Sequence, residues 1–96
     1  MIVDLYPFEA TVASGASSAD IIEKIDIGGI SLIRAAAKNF NDVVIVPSKQ
    51  EYGLLLDLLK KNGAQTTLNE RKEFATRAFG VSSSYDTAIH HWFSKK

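Results

Sequence analysis

The stretch that decides the fold is DIGGISLIRAAAKNFNDVVIV, residues 26–46. Its alanine-rich part follows a pair of glycines and predicts a helix over about Ser31 to Asn39. The apolar run DVVIV, residues 42–46, predicts a strand that is buried on both faces. Pro47 ends this strand, because proline has no N–H to donate to a sheet. A helix followed by a doubly buried strand is typical of an α/β domain.

The beginning of the chain predicts a second buried strand. The run MIVDL, residues 1–5, is mostly apolar, and Tyr6-Pro7 stops it. Small and polar side chains over Ala10 to Ser18 predict a loop. Ser17 with Asp20 three residues later resembles a capping box and predicts a short helix over about Ala19 to Lys24.

The second half of the chain is predicted to be helical. Ser48 and Glu51 form a capping-box pattern before YGLLLDLL, and Asn62-Gly63 is expected to end that helix. The same pattern at Thr67 and Glu70 predicts a helix that reaches about Phe79.

Gly80 is expected to interrupt this helix, and a last helix is predicted over about Ser83 to Phe93. The inventory is therefore two parallel-type strands and four to five helices. Two strands alone are marginal in water, and parallel strands normally lie within a larger covered sheet. The expected architecture is an α/β chain that forms part of a larger parallel-sheet domain.

Composition restricts the function classes. The chain has 96 residues, 11 basic and 11 acidic side chains, and no cysteine. Zero net charge argues against binding nucleic acid by bulk charge, and the lack of cysteine excludes disulfides and Cys-ligated metal. There is no membrane-length apolar run and no signal-peptide pattern. A cytoplasmic enzyme or binding module is expected, without contact with a membrane.

The glycine pair marks a candidate anion or ligand site. Gly28 and Gly29 allow a ligand to approach the backbone, and the N-terminus of the following helix favours negative charge. Asp26 stands directly before them, while Arg34 and Lys38 share a face of the helix. The alternative interpretation is a solvated basic face next to an ordinary loop.

Aromatic and histidine residues give weaker indications. Tyr6 ends a predicted strand, where ligands bind in open α/β sheets, although it also fits a tyrosine packed at a sheet edge. Tyr85 and Trp92 fit core or dimer contacts better than a cofactor site. The pair His90-His91 has no second ligand cluster, so no metal site is predicted.

Several of these segments together resemble the IMP cyclohydrolase domain of the bifunctional AICAR transformylase/IMP cyclohydrolase family. They occur in the order typical of that family and extend over nearly the whole chain. The segments are Asp4-Leu5-Tyr6-Pro7-Phe8, Ile25-Asp26-Ile27-Gly28-Gly29, Arg34-Ala35-Ala36-Ala37-Lys38-Asn39, Thr66-Thr67-Leu68, Arg71, Ala78-Phe79, Tyr85-Asp86 and Ala88-Ile89.

The resemblance implies that residues 1–96 are the C-terminal half of such a domain, with a methylglyoxal-synthase-like α/β fold and a homodimeric assembly. It implies closure of 5-formamidoimidazole-4-carboxamide ribotide to IMP with loss of water, in de novo purine biosynthesis. No metal and no organic cofactor is implied. The N-terminal half of the domain, with its phosphate loops, and the transformylase domain are not in this chain. We therefore expect the chain alone to be inactive.

The resemblance also implies site residues. The catalytic positions are Tyr6, Asp26 and Lys38, and the substrate-binding positions are Asp4, Leu5, Ile27 and Gly28. As hypotheses, Asp26 and Lys38 handle the carboxamide proton as a coupled pair, in roles that are interchangeable, and Tyr6 donates to the formyl oxygen. The family usually has asparagine where this chain has Asp4, and a carboxylate cannot donate a hydrogen bond.

Two other interpretations remain open at this point. One is a non-catalytic nucleotide-binding or dimerisation module that kept the scaffold and lost the chemistry. The other is an enzyme or sensor of the methylglyoxal-synthase type, which the shared fold alone suggests, and a fold does not determine a function.

Overall fold

Helices dominate the architecture, which is described by a computed structural model over residues 1–5, 8–63 and 65–95. About 70% of the chain is helical. The elements are α1 (Phe8–Ala13), α2 (Ser18–Glu23), α3 (Ile27–Lys38), a 3-10 turn (Lys49–Glu51), α4 (Tyr52–Asn62) and α5 (Leu68–Ser94).

The prediction of two strands in a parallel-sheet domain is wrong. The described residues contain no strand and no sheet, and the two segments share one isolated parallel bridge, between Ile2 and Val46. The Val3 N–H donates to the Val46 carbonyl oxygen at 3.0 Å, and the Val46 N–H donates to that of Met1 at 2.8 Å. Two lone parallel strands are marginal, and the described part of the chain adds no third segment to lengthen the pairing.

Helix α3 begins four residues earlier than the predicted start at Ser31, and it ends at Lys38. The reason is Asp26, whose side chain caps the helix, so the glycine pair lies in the first turn and not in a loop. The predicted loop over residues 10–18 is also partly wrong, because α1 extends to Ala13. The predicted short helix is confirmed as α2, with the Ser17 side chain accepting from the Asp20 N–H.

Helix α5 is continuous over 27 residues, so the predicted break at Gly80 is wrong. The predicted capping box at Thr67 and Glu70 is confirmed. A glycine inside a helix costs about 1 kcal/mol relative to alanine. Side chains on both sides of Gly80 are buried, including Phe74 and Ser82. Burial of the turns on either side outweighs the cost of the glycine, so the helix continues through Gly80.

The core lies where α3 packs against α5, over the extended segment that ends at Val46. Its members are buried apolar side chains, with alanines on both helices that permit close approach. The members are Ile33, Ala36, Ala37, Ile45, Val46, Phe74, Ala75 and Ala78. This contact fixes the first turn of α3 beside the middle of α5, which matters for the site.

The molecule is elongated, with extents of 49 × 22 × 17 Å and a radius of gyration of 15.2 Å. A compact domain of this length would have a radius of gyration of about 12.5 Å. The long shape leaves large apolar side chains exposed, including Ile27, Leu56 and Phe93. Exposed apolar surface of this kind is typical of a chain that packs against further protein.

Candidate functional site

Asp26 caps α3 with its side chain. Its backbone is extended, with φ −94° and ψ 97°, and the Gly29 N–H donates to Asp26 Oδ1 at 2.7 Å. Such a cap satisfies one of the first four N–H groups, which have no partner within a helix, and contributes about 1 kcal/mol. The half-buried Asp26 carboxylate is therefore held at the positive end of the helix dipole.

The two glycines of the first turn have different surroundings. A Cβ added at Gly29 would lie 2.7 Å from Asp26 Oδ1, whereas a Cβ added at Gly28 would meet nothing within 4 Å. A side chain at position 29 would thus displace the Asp26 carboxylate from its present position. Gly28 is exposed and open, so its backbone is accessible to a ligand.

Tyr85 connects this turn to α5. The Asp26 N–H donates to the Tyr85 hydroxyl oxygen at 2.9 Å, across 59 residues of sequence. The Tyr85 ring meets the Phe8 ring edge-on, with centroids 6.2 Å apart and an interplanar angle of 65°. The sequence indicated only a core or dimer contact for Tyr85. The link to Asp26 depends on the packing of α3 on α5, which no local pattern reveals.

Partial burial raises the pKa of the Tyr85 hydroxyl above its ordinary value. Asp26 has two smaller and opposite effects on that pKa, since its backbone N–H lowers it and its carboxylate charge raises it. The hydroxyl is therefore neutral at physiological pH. A neutral phenol accepts the Asp26 N–H and keeps its own proton to donate.

Asp4 and Leu5, two of the predicted substrate contacts, line a cleft of about 600 Å³ together with Tyr85. The Tyr52 hydroxyl donates to Asp4 Oδ2 at 2.8 Å, and this bond raises the pKa of Tyr52 above its ordinary value. Leu5 is half-buried against the core. The volume falls in the range of small-molecule sites.

Lys38 lies at the opposite end of α3 from Asp26 and is exposed. Twelve residues of helix separate the two positions, which is about 18 Å along the axis at 1.5 Å per residue. Arg34 lies one turn before Lys38, and its guanidinium carbon is 5.7 Å from the centre of the Phe79 ring. The structure thus does not bring Asp26 and Lys38 of one chain together.

Two predicted site residues remain, Ile27 and Tyr6. Ile27 is 71% exposed at the first position of α3. Tyr6 lies outside the described residues. The structure therefore brings together Asp26, Ile27 and Gly28 in one turn, and Tyr85 connects that turn with the cleft that Asp4 and Leu5 line.

A second cleft, of about 550 Å³, lies between α1 and the C-terminal half of α5, and it contains none of the predicted positions that the structure describes. Within residues 1–5, 8–63 and 65–95, no group of three His, Cys, Asp or Glu side chains is placed to hold a metal ion. None of the described helices is both long and apolar enough to cross a membrane.

Comparison with known proteins identifies the family. Residues 36–96, which are more than half of the chain, match the family model described as AICARFT/IMPCHase bienzyme. The chain therefore belongs to the AICARFT/IMPCHase bienzyme family, and the resemblance seen in the sequence is confirmed.

Individual relatives carry one name. The chain is 69% identical over 93 residues to the bifunctional purine biosynthesis protein PurH of Bacteroides thetaiotaomicron, covering 97% of this chain and 18% of the relative. It is 48% identical over 96 residues to the protein of the same name from Bradyrhizobium diazoefficiens, covering 100% of this chain and 18% of that protein. The chain thus spans less than a fifth of the length of these curated relatives.

Proposed function

We propose that this chain forms part of an IMP cyclohydrolase site, which closes 5-formamidoimidazole-4-carboxamide ribotide to IMP with loss of water. Family membership supports the pathway, purine biosynthesis. The observation that carries the specific proposal is the first turn of α3, where a capping carboxylate and an open glycine lie side by side.

The reaction needs three things from the protein. The carboxamide nitrogen attacks the formyl carbon, so a proton must leave the nitrogen. The formyl oxygen gains negative charge and needs hydrogen-bond donors. Because both groups belong to one molecule, holding them in attack geometry supplies a large part of the rate.

Asp26 fits the first need. Its carboxylate is held in place by the Gly29 N–H, so little reorganisation is required when it accepts the carboxamide proton. The open backbone at Ile27 and Gly28 fits a nucleotide that approaches the helix N-terminus. In the proposal, Tyr6 donates to the formyl oxygen, and Asp4 and Leu5 contact the nucleotide.

The remaining parts of the proposal concern assembly. The ribose phosphate would be held by protein outside this chain, which spans 18% of its relatives. The proposed assembly is a homodimer, and the proposed chemistry uses no metal and no organic cofactor. The 96-residue chain by itself is then expected to show negligible turnover.

The test uses a grafted bienzyme, in which this chain replaces the corresponding residues of the Bacteroides thetaiotaomicron relative, 69% identical over 93 residues. Conversion of the formamido ribotide to IMP is followed by ultraviolet absorbance. Cyclohydrolase turnover near that of the unaltered relative supports the proposal. If the graft folds and retains transformylase activity but makes no IMP, the result supports the alternative that this part of the protein is a non-catalytic module.

The role of Asp26 is tested by Asp26→Asn in the grafted bienzyme. Asparagine caps helices as well as aspartate does, so the fold is kept while the proton acceptor is removed. We expect kcat of the cyclohydrolase to fall by about 10²-fold or more. The matched control is Asp57→Asn, an exposed carboxylate on α4, which should leave both activities unchanged.

A further inference from the structure

We propose that Tyr85 is a positioning residue of the cyclohydrolase site: its hydroxyl fixes the backbone of Asp26, and its ring packs against Phe8 at the start of α1. The inference rests on the function proposed above. It adds a residue from the far end of the chain to a site that the sequence placed entirely within its first forty residues.

Three separate segments meet at Tyr85. Its hydroxyl oxygen accepts the Asp26 N–H at 2.9 Å. Its ring packs edge-on against Phe8, which begins α1 a few residues after Asp4 and Leu5. The Tyr85 side chain also lines the cleft with those two residues. The Tyr85 side chain thus contacts both the α3 cap and the start of α1.

The hydrogen bond from Asp26 has no substitute within the helix. Asp26 is the N-cap, so its own N–H precedes the intrahelical pattern and needs an outside acceptor. Asp26 is half-buried, which makes loss of that acceptor unfavourable. Without the Tyr85 hydroxyl, we expect the peptide before Asp26 to rotate towards water and to turn the carboxylate with it.

Small errors in placement have large effects on rate. A shift of about 1 Å in a reacting group can cost as much as 10²-fold. A tyrosine that served only to fill space would not use its hydroxyl, and phenylalanine would replace it without consequence. The variant Tyr85→Phe keeps the ring and its contact with Phe8, and it removes the hydroxyl that accepts the Asp26 N–H.

The experiment measures both activities of the grafted bienzyme carrying Tyr85→Phe. We expect kcat of the cyclohydrolase to fall by about tenfold or more, with KM for the ribotide within about twofold, since the group acts on placement and not on binding. Transformylase activity should be unchanged. The control is Thr76→Val, which removes an exposed hydroxyl from the same helix and should alter neither activity.

The double variant Tyr85→Phe/Asp26→Asn tests the route of the effect. If Tyr85 acts through the Asp26 carboxylate, the loss from Tyr85→Phe should largely disappear once that carboxylate is gone. Additive losses in the double variant would overturn the inference. An unchanged kcat in Tyr85→Phe, or equal losses of both activities in that variant, would also overturn it. A graft that makes no IMP before any substitution overturns the proposed function instead, so the two failures are distinguishable.

Discussion

The carboxylate of Asp26 occupies the space where a Cβ at Gly29 would lie. A Cβ at Gly29 would be 2.7 Å from Oδ1 and 2.8 Å from Oδ2 of that carboxylate, while the Gly29 N–H donates to Oδ1 at 2.7 Å. Folded proteins do not tolerate such close Cβ contacts. A Cβ at position 29 would therefore displace the Asp26 carboxylate from its present capping position.

Gly29→Ala should destabilise the chain by forcing the Asp26 side chain out of its capping position. Loss of the cap costs about 1 kcal/mol, which urea unfolding of the 96-residue chain, followed by circular dichroism at one protein concentration, can resolve. The matched variant Gly28→Ala meets no atom within 4 Å. It should be neutral or slightly stabilising, because alanine is the better helix former. Equal midpoints for the two variants would contradict this account of the cap.

The hydrogen bond between Tyr52 and Asp4 gives a pH-dependent prediction. The bond to the carboxylate raises the pKa of the Tyr52 hydroxyl, so the folded state holds this proton more tightly than the unfolded state. The stabilisation is complete below the ordinary tyrosine pKa of about 10 and is lost as the pH rises through the raised value. In the Asp4→Asn variant, Tyr52 should titrate at a lower pH than in the unaltered chain, as measured by tyrosinate absorbance. The control Asp57→Asn should leave the titration curve unchanged, and an unchanged curve in Asp4→Asn would refute the coupling.

Short-range signals predicted the helix starts well. Capping at Ser17 and at Thr67 was predicted correctly, because each motif joins residues only three apart. The Ser48 pattern was only partly right. Its hydroxyl donates to the Glu51 side chain, no side-chain cap forms, and α4 begins after a 3-10 turn.

Contacts between residues far apart in the sequence could not be predicted from such local patterns. Apolar runs predicted strands at residues 1–5 and 42–46, but a ladder needs partners that the pattern cannot supply, and one bridge forms. Gly80 predicted a break that the burial of neighbouring turns prevents. The contact of Tyr85 with Asp26 spans 59 residues and follows only from helix packing.

Exposed leucines on α4 predict that the isolated chain self-associates. Tyr52, Leu56 and Leu59 are exposed and lie at positions i, i+4 and i+7, so they form one apolar stripe. At micromolar concentration, sedimentation velocity should show a dimer or a larger species. Leu56→Glu should shift the distribution towards monomer by placing a charge in the stripe. The control Gln65→Glu adds the same charge at an exposed position outside α4 and should leave the distribution unchanged. A stable monomer of the unaltered chain would contradict the prediction.

In the proposed site, Lys38 and Asp26 of one chain lie too far apart to reach the same carboxamide. They lie about 18 Å apart along α3, and although a helical side chain leans towards the N-terminus, a lysine side chain spans less than half of that distance. We therefore expect a site that uses both residues to take Lys38 from a second copy. The proposed homodimer would supply it, in an interface where each copy completes the site of the other.

This arrangement is tested in the grafted bienzyme by mixing two variants. Lys38→Ala and Asp26→Asn should each lose about 10²-fold or more in kcat of the cyclohydrolase. After exchange of subunits, half of the dimers contain one copy of each variant and one intact site, so about a quarter of the original activity should return. Arg34→Ala, one turn away on the same face, should have a smaller effect, because Arg34 packs over Phe79. An unchanged kcat in Lys38→Ala would show that Lys38 is only a solvated charge on the helix. Mixtures that stay inactive would show that the two residues do not form one site across the dimer.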